Sequence, residues 1–253
     1  MKNDITRLIF AETDDIPSLP EETGEERKRT DNFLLMMKSL SSIVAEGTLV
    51  IDVQKRCFRY VSNHDLLLCG HSCEEVLRRG FDFYSEIVHP DDLPLMIEMY
   101  RAILQYPETE DENTAYFSGT FRIKSNDAIG WLMVYYRWKP VTIAGKRFIV
   151  CTMNDSAIPT VGHLRLYDQD QLNFKEYSFT AKTWRYVPVE RLTDREKEIL
   201  KLAKQGKKAR EIAAILHVSY HTVWNDKKQI LHKLNVHFFE EAMNYSSGHK
   251  LAL

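Results

Sequence analysis

The stretch from Ser219 to Leu234 concentrates the side chains best suited to chemistry. Val223, Ile230, Leu231 and Leu234 recur at helical spacing, so one face of this stretch is apolar and turns inward. The opposite face carries Tyr220, His221, Trp224, Asn225, Lys228 and His232. Asn225 and Lys228 are of the types that hydrogen-bond base edges in a DNA major groove, and lysines such as Lys227 and Lys233 neutralise phosphate. The same pattern also fits a solvated polar face on a helical bundle. Periodicity alone does not separate the two.

The elements around this stretch read as helices. Thr193-Asp194-Arg195-Glu196 is a capping box that starts a helix over 194–204, with Ile199, Leu200, Leu202 and Ala203 inward and Gly206 as its left-handed stop. A second helix spans about 209–216 and buries Ile212, Ala213 and Leu216. His217 and Val218 turn the chain, and Ser219 caps a third helix that runs to about Leu234. A short fourth helix is expected over 239–245. Two short helices joined by a tight turn are a helix-turn-helix, whose second helix can enter the major groove. The charge agrees. From Arg191 onward there are 12 lysines and arginines against 7 acids, whereas the first 190 residues hold 22 against 29. A basic end on an acidic body points to an anionic partner for the end alone.

The residues from Leu192 to Leu200, followed by Gly206, Glu211-Ile212-Ala213, Leu216, Ser219, Thr222-Val223, Ile230 and Lys233-Leu234, resemble the LuxR-type helix-turn-helix family. The resemblance implies a transcription regulator that binds double-stranded DNA, usually as a dimer, with the third helix in the major groove. Carried over by position, Ser219 and Thr222 would touch phosphate, while Trp224, Asn225 and Lys228 would face bases. The sequence departs from the family at Trp224, where lysine is common, and at Asp226, where histidine is common. Trp224 cannot make a lysine's contacts, and Asp226 is expected to place a negative charge near the phosphates and oppose binding.

The first 190 residues follow a different plan. Residues 1–30 are acidic and polar, with Pro17, Pro20 and Gly24, and read as a flexible arm. A short helix is expected from Asp31 to Val44. Two strands around 47–52 and 57–62 follow, then short helices at 65–68 and 73–79. Asp91 is placed to cap a longer helix that Pro94 begins and Pro107 ends. Three strand-like runs, 115–124, 131–141 and 147–153, complete an α+β order. With the His89-Pro90-Asp91-Asp92 motif, residues 44–156 resemble a PAS domain, which implies a unit that senses a ligand, binds a cofactor or dimerises. Any small-molecule ligand would sit between the sheet and the helices of 65–106. No polar cluster in the pattern is aimed inward, so a filled core is expected rather than a pocket. Residues 158–189 carry Tyr167, Phe174, Tyr177, Phe179, Trp184 and Tyr186. That many large aromatics suit a β-rich connector better than a solvated tether.

Other chemistries find little support. Cys69-Gly70-His71-Ser72-Cys73 offers three side chains and no second cluster, so no metal is expected. His64, His71 and His89 are nominal haem ligands, but His89 fits the start of a helix. Cys69 and Cys73 lack the neighbours of a flavin photosensor, and no cofactor is expected. No phosphate loop or paired carboxylate site suggests an enzyme. No apolar run reaches the length of a membrane helix. The N-terminus lacks the basic-then-apolar pattern of a secretory signal, so a cytoplasmic location is expected. The expected architecture is an N-terminal PAS-like antiparallel sheet with helices over 31–157, a connector over 158–189, and a small all-α LuxR-type helix-turn-helix domain over 190–253. The alternative is a protein-interaction adaptor whose helical domain no longer binds DNA, for which Trp224 and Asp226 speak. Lys227, Lys228, Lys233 and the basic balance of the domain speak against it.

Overall fold

The computed structural model describes residues 4–11, 23–106, 116–125, 130–156, 161–167, 174–187, 192–234, 236, 239 and 242–243. The chain divides into two compact units. One comprises residues 1–169 and 176–185, the other 170–175 and 186–253.

The first unit is an antiparallel sheet with helices. Strands β1 (Gly47–Asp52), β2 (Cys57–Val61), β3 (Tyr116–Lys124), β4 (Trp131–Ile143), β5 (Lys146–Asp155), β6 (Leu164–Tyr167), β7 (Phe174–Ser178) and β8 (Thr183–Val187) form one sheet in the order β2-β1-β5-β4-β3-β6-β7-β8. The long central hairpin pairs Val134 with Asp155 through Ile143 with Lys146, and its tight turn is made by Ala144 and Gly145. The aromatic-rich stretch expected to be a β-rich connector supplies β6, β7 and β8 to the same sheet, joined to it where Phe117 pairs with Leu166.

Because side chains alternate along a strand, each strand gives one set of residues to each face. Leu49, Ile51, Phe117, Phe121, Ile123, Tyr136, Trp138, Ile149, Cys151 and Met153 belong to the main core. Against them pack α3 (Asp65–Leu68), α4 (Cys73–Arg79), a 3-10 turn (Gly80–Phe83), α5 (Tyr84–Ile87) and α6 (Leu93–Gln105). Gly119 is required at the tightest point, since a Cβ there would lie 3.0 Å from the His163 carbonyl and 3.1 Å from both Met99 Sδ and the Trp138 ring. The other face of the sheet is covered by α2 (Gly24–Ser41), whose Phe33 meets Phe148 at 5.5 Å between ring centroids, next to Val50. The Ser41 hydroxyl is hydrogen-bonded to that of Tyr60.

Two expectations fail in this unit for identifiable reasons. Residues 1–30 are not simply an arm. Helix α1 (Ile5–Ile9) is docked by its apolar side, with Ile5 and Ile9 wholly buried and Phe10 edge-on to Phe81 at 5.5 Å. Asp82 accepts from the Ile5 amide at 2.8 Å, and Arg101 Nε donates to the Leu8 carbonyl at 2.8 Å. Burying those three side chains contributes on the order of 1.5–3 kcal/mol each. Helix α2 also begins earlier than expected, at a Thr23/Glu26 capping box whose polar first turns hide it from a hydrophobic-period reading. The rest of the expected arm, residues 12–22, lies outside the described residues.

The second expectation concerns Asp91. Its side chain is exposed, and the N-cap position of α6 falls on Asp92, whose carboxylate makes no cap. Asp92 instead accepts from Arg122 Nε and from the Arg122 amide, each at 2.8 Å, with NH2 at 2.5 Å from the other oxygen. This bidentate clamp fastens α6 to β3. Burial raises the Asp92 pKa, but the Arg122 hydrogen bonds and charge outweigh it, and the carboxyl lies below its ordinary value. His89 does serve the start of the helix: its Nδ1 accepts from the Asp91 amide at 3.2 Å.

The core is also more polar than expected. The Tyr84 and Tyr100 hydroxyls are 2.8 Å apart inside it. The Tyr136 hydroxyl lies near that of Tyr84, yet it and Trp138 Nε1 lack a well-formed hydrogen bond, and both residues are wholly buried. Burial pushes all three tyrosines well above their ordinary pKa. Along β4 the buried positions include Val134, Tyr136 and Trp138, while Trp131 is exposed and Met133 and Tyr135 are half-buried; both faces carry aromatics, so alternation alone does not choose the inward set.

The second unit is helical: α7 (Asp194–Lys204), α8 (Ala209–Ile215) and α9 (Tyr220–Lys233). No helix among the described residues is long and apolar enough to cross a membrane.

Candidate nucleic-acid interface

Local sequence fixes each helix end in this unit. Thr193 and Glu196 form the capping box of α7: the Thr193 amide donates to Glu196 Oε2 at 2.7 Å, and the Glu196 amide donates to Thr193 Oγ1 at 3.3 Å. Gly206, at φ +81°, stops the helix, with its amide on the Ala203 carbonyl and that of Lys207 on Leu202. Helix α8 ends the same way without glycine. His217 takes the left-handed conformation at φ +53°, its amide bonds Ala214 and the Val218 amide bonds Ala213. A left-handed non-glycine residue costs roughly 1–2 kcal/mol. The tight turn between α8 and α9 is made at that cost. Ser219 then caps α9, accepting from the Thr222 amide at 3.0 Å, and its hydroxyl lies 2.9 Å from that of Thr222.

The inward face of α9 is Val223, Asp226 and Ile230, with Leu234 just beyond its end. Ile199 and Leu200 of α7 and Ile212 of α8 are buried in the same unit. Asp226 is the surprise in this set. It is only 8% exposed, with Arg195 NH2 donating to its Oδ1 at 2.9 Å and Nε lying 2.8 Å from Oδ2. The carboxylate expected beside the phosphates is thus turned into the domain, where it ties α9 to α7. A second pair does the same at the last residue of α9. Lys233 Nζ donates to Glu196 Oε2 at 2.8 Å, with both side chains largely buried. Burial raises the Glu196 pKa. The Lys233 bond and the Thr193 hydrogen bonds outweigh it, so the carboxyl sits below its ordinary value. Helical periodicity at 31- and 37-residue separations carries no signal for either pair, and sequence reading missed both.

The remaining polar residues of α9 share the open side. Tyr220, His221, Trp224, Asn225, Lys228 and His232 are all exposed. Lys228 Nζ stands 3.7 Å from the centroid of the Trp224 ring, a cation–π contact one helical turn long. Lys227 sits toward the flank, with its Nζ 3.7 Å from the Phe239 ring centroid. Thr222 is half-buried and Ser219 exposed at the N-terminal end. Most of the residues singled out from sequence are therefore gathered on one surface. Lys233 is not among them, because its ammonium is engaged by Glu196. Of the fourth helix expected over 239–245, only Phe239, Ala242 and Met243 fall within the described residues.

A capped three-helix unit with a tight turn before an open polar helix face is a helix-turn-helix. Residues 190–246 match the bacterial regulatory proteins of the luxR family. The helical unit is thus similar to the bacterial regulatory proteins of that family. Among solved structures, the Vibrio cholerae VqmA dimer in the absence of target DNA has 17% sequence identity over 85% of this chain and 87% of that chain, at a TM-score of 0.35. A Vibrio cholerae VqmA–ligand–DNA complex has 15% identity over 84% and 85%, at a TM-score of 0.32. Escherichia coli SdiA has 15% identity over 98% of both chains, at a TM-score of 0.26. No curated protein sequence matches the chain.

Proposed function

We propose that this chain is a cytoplasmic transcription regulator that binds double-stranded DNA as a homodimer through α9. The observation that carries the reading is the open face of α9, held in place by two internal ion pairs within a matched LuxR-type domain. Asn225 and Lys228 reach base edges. Ser219, Thr222, Tyr220, His221 and Lys227 contact the sugar–phosphate backbone and set the register. Asp226, spent inside the domain, no longer argues for an adaptor that has lost DNA binding. Two copies are needed because one helix-turn-helix reads one half-site, and half-sites lie about 34 Å apart per turn of duplex. The exposed apolar residues Leu35, Met36 and Leu40 of α2, with Ile43 and Val44 just after its end, support pairing with a second copy through this segment.

The N-terminal unit is a PAS-like sensor in this reading. The Tyr136 hydroxyl and Trp138 Nε1 are buried donors without well-formed bonds, and a small molecule bearing hydrogen-bond acceptors would satisfy them. Such a ligand would act by altering how two DNA-binding domains are spaced. The test is fluorescence anisotropy with random duplex and with duplexes selected from a random pool. A salt-dependent signal on both, tighter on the selected site, is expected. No binding to either at low salt would refute the reading.

A further inference from the structure

We propose that Trp224 and Lys228 act as one composite reader of two adjacent base pairs. The indole would take the 5-methyl of a thymine, and the ammonium would take the O6 and N7 of a guanine in the neighbouring pair. This rests on the reading of α9 as the DNA-facing helix.

Three observations carry it. First, Trp224 is 45% exposed on the side of α9 away from Val223, Asp226 and Ile230, so the largest side chain of the helix contributes little to the domain's own core. A large apolar group left outside on a short polar helix marks a contact surface. In a major groove the apolar group available to it is the thymine methyl. Second, Lys228 Nζ lies 3.7 Å from the indole centroid. Successive bases on a strand are about 3.4 Å apart, so a ring and a cation at this separation match two neighbouring steps of the stack. Third, Asp226, between the two in sequence, and Lys233, beyond them, are both turned into ion pairs with α7, which fixes the rotation of α9 and leaves the pair on the open side. A lysine is ordinarily a flexible point charge with no geometric preference between bases. Held over the indole, it is placed before DNA arrives, and lysine then discriminates by position.

The test uses the full chain on a duplex selected from a random pool. Each thymine of the site is replaced in turn by uracil, which deletes only the methyl. Each guanine is replaced by 7-deazaguanine, which deletes only N7. One thymine is expected to lose about fourfold in affinity on conversion to uracil, the worth of one methyl contact. A guanine in an adjacent pair is expected to lose about tenfold on conversion to 7-deazaguanine. Trp224→Ala should abolish the uracil effect and shrink the 7-deazaguanine effect, and Lys228→Met should abolish only the latter. Both residues are exposed, and circular dichroism of each variant checks that the fold is kept.

If uracil is harmless at every thymine while the 7-deazaguanine effect survives Trp224→Ala unchanged, the composite reader is refuted and DNA binding by α9 stands. A thymine and guanine effect in base pairs that are not neighbours also refutes it. If the wild type binds selected and scrambled duplex alike, or binds neither, the reading of α9 itself fails and the composite reader fails with it.

Discussion

Replacing Lys233 by methionine separates a structural lysine from a phosphate-binding one. Methionine keeps most of the apolar stem and removes the ammonium that Glu196 engages at 2.8 Å. The Glu196 side chain is 5% exposed and that of Lys233 15%, so little solvent screening needs to be discounted. Breaking a buried pair by removing one partner costs about 3–5 kcal/mol, because the other charge is left buried. The Thr193 amide still donates to Glu196, which favours the lower end, about 3 kcal/mol. A domain of this size is stable by only about 3–10 kcal/mol, so the loss is a large fraction of it. At about 4–8 °C per kcal/mol, the helical unit should melt about 12–24 °C earlier. The pH dependence gives an independent sign. The folded pKa of Glu196 is lowered, so its stabilisation is full above the unfolded value of about 4.3 and is lost as pH falls through the folded value. In Lys233→Met that acid loss should flatten. The assays are thermal melts followed by circular dichroism between pH 3 and 7, with anisotropy on DNA at two salt concentrations below the melt. A variant that melts like the wild type but whose salt slope falls by about one unit would refute the structural role and return Lys233 to the phosphates.

Four further outcomes follow from named contacts. Asp226→Ala should destabilise the helical unit by about 1–2 kcal/mol, discounted because Arg195 is half-exposed, and should leave the salt slope of DNA binding unchanged; chemical denaturation of Asp226→Ala, Arg195→Ala and the double variant measures the coupling. Arg122→Met should remove the acid-labile stability that Asp92 supplies, which is present above the unfolded carboxylate pKa and lost as pH falls through the lowered folded one, as read from urea midpoints against pH. Tyr136→Phe should change the stability of the ligand-free protein by less than about 1 kcal/mol, since the deleted hydroxyl lacks a well-formed bond, whereas a loss of several would mean that the hydroxyl is fully satisfied. Leu35→Glu with Ile43→Glu should convert a dimer to a monomer in sedimentation velocity without lowering the melting temperature, because both side chains are more than half exposed.

How much of this could be read from sequence depended on the range of the interaction. The capping box at Thr193, the left-handed Gly206 and the Ser219 cap are contacts within a few residues, and the helices they bound were placed almost to the residue. Strand periodicity placed β3, β4 and β5. What escaped was made between distant segments. Ile5 and Ile9 lie in a short, polar-flanked stretch whose burial depends on α6 and Asp82. Asp91 looked like a helix cap because such caps are local, but the cap position falls on Asp92, whose carboxylate is taken by an arginine 30 residues on. Asp226 looked like a surface charge for the same reason. The inward polar atoms of Tyr84, Tyr100, Tyr136 and Trp138 were not legible, since both faces of β4 carry aromatics and alternation does not say which set turns inward.

The internal pairing of Asp226 and Lys233 changes what kind of DNA binder the domain can be. A reading helix usually gains affinity cheaply from lysines on phosphate, each adding about −0.9 to the salt slope. Here one of the lysines of α9 is tied to Glu196 and another is placed over an indole, while Lys227 leans on Phe239. Further exposed charges lie at Lys207, Lys208 and Arg210 around the start of α8. The first 190 residues add a net negative charge that repels the duplex. On the proposed reading, a domain built this way takes less from sequence-independent attraction, and more of its affinity would come from base contacts and from a second copy bound at the same time. Affinity of that kind is sensitive to the spacing between two reading helices. That sensitivity is what a sensor acting through dimer geometry requires.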